Sequence, residues 1–529
     1  MQKISLAVVN ASVFTGSPVR AEAIAVCGEQ IVAVGTNNEI TALTGKGTLI
    51  LDAGGALTLP GFIDNHTHFM LGARQLLAVD LRPANTAEEF TGLIAERAAS
   101  LANGRWLTGG NWDHEQWPEK RLPTKDLIDP FTSHTPVFVT RLDLHMGLAN
   151  SQALALAGID GSTPDPAGGQ IVRGPDGEPT GILKDTATDL VLRVQPKPSD
   201  EDNAAALANA LAHAASLGVT SVQDVTAWED WQTFQACHRR SQLTARIYAR
   251  TPIAQWQRQQ ELLANGFRGD AWLRLGGVKG FVDGSLGSTT ALFLEPYCDA
   301  PEMRGLFLQP PEELAEMIAA ADAAGLQASI HAIGDAANRL LLDMFAKAAA
   351  ANGDRDRRFR IEHAQHLTLE DIRRMAAMGV IASAQPYHAA DDGRWADRRL
   401  GPARAKMAYP FRSLLDAGTA LTFGTDWPVA PLAPLLGIQA AVTRQTLGGE
   451  HPGGWHPEQK ISVAEAVRAY TATSAYAEFA ETAKGILAPG YLADLVILSE
   501  DIFSIPAAEI ARTRVSHTVC GGKIVYQEH

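Results

Sequence analysis

Two hydrophobic periodicities divide the chain. Between about residues 59 and 484, short continuous apolar runs alternate with stretches whose apolar positions recur every three or four residues. Runs of the first kind predict buried strands, and stretches of the second kind predict amphipathic helices. The predicted strands end near His68, Thr226, Thr251, Gly284, Asp335, Gln365, His388 and Asp426. Helices are predicted over 311–324, 336–351, 368–378 and 462–477. Two of these open with a capping pattern, Thr368-Leu-Glu-Asp371 and Ser462-Val-Ala-Glu465. Strand–helix alternation of this kind predicts an α/β fold, most economically a closed (β/α)8 TIM barrel. An open doubly wound sheet would place a glycine-rich phosphate loop after its first strand. Asp64-Asn-His-Thr-His68 stands there instead.

The two ends follow a different pattern. Segments 4–14, 23–34 and 48–51 read as short strands, as do 493–498, 514–520 and 523–526, with Gly521-Gly522 as a turn. Neither end has enough apolar area to stand alone. Residues 1–58 and 485–529 are therefore expected to form one small composite β-sandwich, and 59–484 the barrel. Residues from about 69 to 202 are dense in Trp, Pro and Gly and exceed one strand–helix step. They are read as a large insertion after barrel strand 1, the side on which barrel active sites lie.

Composition narrows the function. The chain has 529 residues, 46% apolar and 20% charged, as expected of a folded globular protein. Its 45 Lys and Arg against 59 Asp and Glu give a net charge of −14, which argues against nucleic acid as a partner. Cys27, Cys237, Cys298 and Cys520 are scattered without a CxxC pair, so neither a disulfide scaffold nor a cysteine-rich zinc module is expected. The N-terminus lacks signal-peptide character, and no run reaches about 18 apolar residues. A cytoplasmic protein with no membrane partner is the expectation.

The chemistry concentrates at the predicted strand ends. His66 and His68 are two residues apart on a strand, so both imidazoles face one side. His331, His363 and Asp426 end three further strands. Strand ends of one barrel converge on one rim, and this set of donors points to a metal centre. Lys279 lies on an apolar strand. Beside two divalent cations its ammonium would be repelled, and the neutral amine can add CO₂ to form an anionic carbamate.

The set Asp-x-His-x-His, Lys, His, His, Asp resembles the amidohydrolase superfamily of metal-dependent hydrolases. The finer wording is similar to its amidohydrolase-3 branch, which includes N-substituted formamide deformylase-like proteins. The phrases that carry it are 59–68, 283–288, His331-Ala-Ile-Gly-Asp335, Glu362-His-Ala-Gln365, Gly424-Thr-Asp-Trp-Pro428 and Pro489-Gly-Tyr-Leu-Ala-Asp494. The resemblance implies that His66, His68 and Asp426 hold one metal and His331 and His363 a second, with carbamylated Lys279 as the bridge. Two divalent ions are implied, with Zn²⁺ expected from the ligand types. It further implies attack by metal-bound hydroxide on a small amide or N-substituted formamide, Asp426 serving as general base and then acid at a C–N bond.

Weaker candidates for the substrate pocket are Trp112, Asp113 and His145 in the insertion, Asp283 and Ser285 after strand 4, and His388 after strand 7. Trp106, Trp112 and Trp117 read more readily as core. Two alternatives stand beside the amidase reading: a deaminase acting on a cyclic amidine, and a non-catalytic regulatory protein that keeps the barrel. Deaminase chemistry commonly uses one metal and no bridging lysine, so Lys279 separates the first. A degenerate copy should have lost ligands, which disfavours the second. A homodimer is the base-rate expectation for assembly.

Overall fold

Eight strands run parallel, each hydrogen-bonded to the next in chain order: β1 Phe62–Thr67, β2 Val219–Val225, β3 Arg246–Pro252, β4 Leu273–Phe281, β5 Gln327–Ala332, β6 Arg360–His363, β7 Ile381–Ala384 and β8 Leu421–Phe423. The computed structural model describes residues 3–528 except 17–18, 103, 115–116, 142–145, 167–168, 268, 288 and the side chain of 185. The sheet closes on itself just beyond β8. There the Asp426 N–H donates to the His66 carbonyl, and the His68 N–H to the Trp427 carbonyl, each at 2.7 Å. Helices such as Trp228–Arg239, Pro311–Ala323, Asp335–Asn352 and Leu369–Met378 connect successive strands. The architecture is a (β/α)8 barrel.

Both ends of the chain build a two-sheet sandwich. Gln30–Gly35, Ala23–Cys27, Leu6–Val9 and Leu49–Asp52 make one sheet in that order. Ser12–Val13, Leu57–Pro60, Leu495–Leu498, Val515–Cys520 and Lys523–Gln527 make the other. Leu6, Val8, Ile24, Val26, Leu495, Ile497 and Val519 pack between them.

Three predicted elements are cut more finely than expected. The strand predicted over 4–14 is two strands in different sheets, broken at Asn10, whose φ of 49° is left-handed; Asn tolerates that conformation better than most residues. The run 23–34 is a hairpin turning at Gly28. The helix predicted over 462–477 is two helices, Val463–Ala469 and Ala472–Ala477. Thr471 breaks it with a non-helical backbone, φ −133° and ψ −94°, and its hydroxyl bonds back to the Val467 carbonyl. The capping box at Ser462 is complete, whereas Thr368 caps its helix through the Asp371 N–H. Strand β7 ends at Ala384, so His388 lies in helix Pro386–Asp392 and not at a strand end. Pro386 opens that helix at its first position, where its missing N–H costs nothing.

Residues 70–210 form a second compact unit. Its six-stranded sheet runs Gly169–Arg173, Pro179–Asp185, Met146–Ala149, Val137–Arg141, Leu107–Trp112, Val79–Asp80. Phe90, Ile94, Trp112, Trp117 and Val139 fill one of its cores. No helix among the described residues is long and apolar enough to cross a membrane.

Candidate metal centre

Barrel geometry brings the strand-end donors together. His66 lies in β1 and His68 just past its end, two residues apart on one side of the strand, with ring centroids 5.7 Å apart. His363 ends β6, and its ring lies 5.0 Å from that of His66 and 4.4 Å from that of His331 in β5. Asp426 follows β8. Its Oδ1 is 3.4 Å from His66 Nε2 and 3.3 Å from His68 Nε2. Two groups offer donor atoms within 4.8 Å of one another: His66, His68 and Asp426, and His363, His388 and Asp426. His66 Nε2 and Asp426 Oδ1 are shielded from solvent with no hydrogen-bond partner. Unpaired buried polar atoms are costly, and a cation placed among them would satisfy both. These residues therefore fit a divalent ion.

Backbone strain coincides with the site. His363 and Ala364 have φ of 75° and 44°, and Asp426 has 59°. Side-chain-bearing residues adopt such angles rarely, and they persist where the surroundings over-determine them.

A partner fixes each of three imidazoles. The Glu362 carboxylate binds His66 Nδ1. Gln385 Oε1 is 2.8 Å from His363 Nδ1, and the Gly284 carbonyl is 3.1 Å from His331 Nε2. In each case the bonded nitrogen carries the proton, and the opposite ring nitrogen keeps its lone pair for the centre. Burial pushes His66 down to about 4 and His331 down to about 3, and holds His363 well below the ordinary imidazole value. They are neutral near pH 7, the state in which imidazole ligates. Burial alone would raise Asp426, but His66, His68 and His363 outweigh it and hold the carboxyl well below its usual range.

Lys279 in β4 is 3% exposed, and its Nζ has no hydrogen-bond partner. The Nζ sits 4.2 Å from the centre of the Phe281 ring, which in turn lies 5.4 Å from His331. Burial pulls its amine down to about 8, against the opposing field of Glu362.

Beneath the centre the barrel interior is polar. Glu362 is fully buried and takes Arg250 Nη1 at 2.5 Å, Arg360 Nε at 2.9 Å and Ser383 Oγ at 2.6 Å. Sequence reasoning assigned no role to Glu362, Arg250, Arg360 or Gln385. A signal was present: Arg360 and Glu362 put charge on alternate positions of a strand otherwise read as buried.

The weaker candidates separate. His388 joins the centre, its ring 6.5 Å from His363. Asp283 is fully buried and accepts the N–H groups of Leu292, Ile333 and Gly334 at 2.7, 3.0 and 2.9 Å, so it braces two loops. Burial pushes it up to about 7 against those three donors. Ser285 opens a turn closed by the Thr290 N–H. Trp112 packs inside the 70–210 unit with its Nε1 on the Val139 carbonyl, which is the core placement rather than a pocket wall. Asp113 pairs with Arg141 at 2.9 Å. His145 lies outside the described residues.

The chain is similar to several known proteins. Protein LONG AFTER FAR-RED 3 of Arabidopsis thaliana is 40% identical, covering 98% of this chain and 91% of its own length. N-substituted formamide deformylase of Arthrobacter pascens is 28% identical, covering 99% of both chains. The crystal structure of an uncharacterized metal-dependent hydrolase from Pyrococcus furiosus superposes with a TM-score of 0.79 at 30% identity, covering 94% of this chain and all of the other. Residues 49–526 match the model of the amidohydrolase family, and the chain belongs to that family of hydrolases.

Proposed function

We propose that the chain hydrolyses a C–N bond of a small amide or N-substituted formamide with the help of two divalent cations, Zn²⁺ by ligand type. The carrying observation is the Asp426 carboxylate set within 3.4 Å of two imidazole nitrogens, with buried donor atoms left unpaired. The named activity of the Arthrobacter pascens relative supports the bond type.

His66, His68 and Asp426 would hold one cation, and His331 and His363 the second. Lys279 would bridge them as a carbamate. When bound, such ions acidify water and polarise a carbonyl. The chain's own groups handle the protons. Asp426, whose carboxyl is held well below its usual range, is ionised and accepts the proton of the attacking water. As the new C–O bond forms and the C–N bond breaks, it returns that proton to the leaving nitrogen. With its amine near 8, Lys279 has a neutral fraction at neutral pH. Its lone pair adds to CO₂, and one proton leaves to solvent. Glu362 keeps the His66 proton on Nδ1, so that Nε2 faces inward.

Protein purified without chelator is expected to carry stoichiometric divalent metal and to turn over members of a panel of formamides, acylated amines and cyclic amides. Removal of the metal should abolish turnover, and Zn²⁺ should restore it. Absence of any stoichiometric divalent ion would overturn the reading. Full activity and metal content in Lys279→Ala would remove the bridge.

A further inference from the structure

We infer that His388 is a metal ligand, completing a second triad with His363 and Asp426 beside the triad of His66, His68 and Asp426. The inference rests on the two-cation reading above and extends it to a residue outside the barrel strands. Its donor atom lies within 4.8 Å of those of His363 and Asp426, the same closeness that defines the His66, His68 and Asp426 group. Asp426 belongs to both groups, so its carboxylate sits where two cations would share it.

Three further observations point the same way. His388 Nε2 is shielded from solvent with no hydrogen-bond partner, as are His66 Nε2 and Asp426 Oδ1. The His388 ring lies nearly parallel to that of His363, at 11°. The segment that carries it is already tied to the centre: Gln385 Oε1, at the N-cap of helix Pro386–Asp392, accepts the hydrogen bond of His363 Nδ1–H, and His388 follows three residues later. One short segment thus orients one imidazole and supplies another.

Ligand number gives the triad a purpose. Zinc and similar ions take four or more donors. If Lys279 were not carbamylated, the second cation would lose the bridging anion and keep His331, His363 and the shared Asp426 as its protein donors. His388 supplies a further donor as a neutral group. The second cation would then persist when the carbamate is lost.

Metal content and chelator competition test this directly. The wild type and His388→Ala are purified from zinc-supplemented cells, checked for fold by circular dichroism and thermal melting, and titrated against a chromophoric chelator. The wild type is expected to hold two equivalents. The variant is expected to keep one at wild-type affinity and to bind the other about tenfold or more weakly. His388→Asp, which retains a ligating atom, is expected to recover the second equivalent, and it provides the measurement should the alanine variant not fold. Two equivalents at unchanged affinity in His388→Ala would overturn the triad. A wild type that binds fewer than two equivalents would instead overturn the two-cation reading itself.

Discussion

The barrel interior beneath the candidate metal centre and the core of the terminal sandwich are both fully buried, yet they are filled by opposite chemistry. The sandwich core is aliphatic: Leu6, Val8, Ile24, Val26, Leu495 and Ile497. The barrel interior holds Arg250, Arg360, Glu362, Asn65, Gln223, Ser329 and Ser383, none of them appreciably exposed. Barrel interiors are ordinarily packed with branched aliphatic layers, which stabilise by leaving water. Burying an ion cluster is a poor way to gain stability, because desolvation offsets the Coulomb attraction. It does fix direction. Two guanidinium groups hold Glu362, Glu362 holds His66 Nδ1, and His66 Nε2 is aimed at Asp426. One region contributes cohesion and the other contributes aim.

The sharpest way to break this contrast is Glu362→Ala. It leaves two buried arginines without their anion and unhooks His66. The expected cost is about 3–5 kcal/mol in denaturant unfolding, with metal affinity weakened about 10–100-fold. Unchanged metal affinity in that variant would show that the cluster is not a positioning device.

Asp494→Asn probes the seam between the two regions. Asp494 receives Arg246 Nε at 2.7 Å and the Gly521 N–H at 2.8 Å. The expected loss is about 3 kcal/mol near pH 7. Burial raises the Asp494 carboxyl, but Arg246 lowers it further, so its folded value lies below the ordinary 3.8. A lowered carboxyl contributes stability that is present above the unfolded value and is lost as pH falls through the folded value. The gap between wild type and variant should therefore narrow below about pH 4. Urea titrations across pH would check this, and a gap that widens on acidification would contradict it.

Ile497→Val, in the aliphatic core, should cost about 1 kcal/mol in the same assay and leave metal content untouched. Ser462→Ala removes half of a capping box and should also cost about 1 kcal/mol or less. A change in metal content from either would blur the division between cohesion and aim.

Much of the architecture was legible because its signals are local. Continuous apolar runs marked the ends of seven of the eight barrel strands to within three residues, and capping patterns marked helix starts. Local signals failed where a break depends on packing. Asn10 separates two strands of different sheets, and at the helix break the Tyr470 carbonyl accepts the Ile63 N–H of β1 at 2.7 Å. The reading of His388 as the end of a strand failed although a local signal was present. Strand β7 stops at Ala384, and the proline that follows starts a helix.

The sequence by itself determined which side chains stand at the ends of the strands, because strand alternation and turn chemistry are set within a few residues. It also marked Lys279 as anomalous, a charge within an apolar run. Only the tertiary structure decided which of these groups share a centre and what aims them. His66 and Glu362 are 296 positions apart, and no local pattern encodes their contact. Closure of the sheet between β1 and β8 sets such pairs, and closure is a property of all eight strands together.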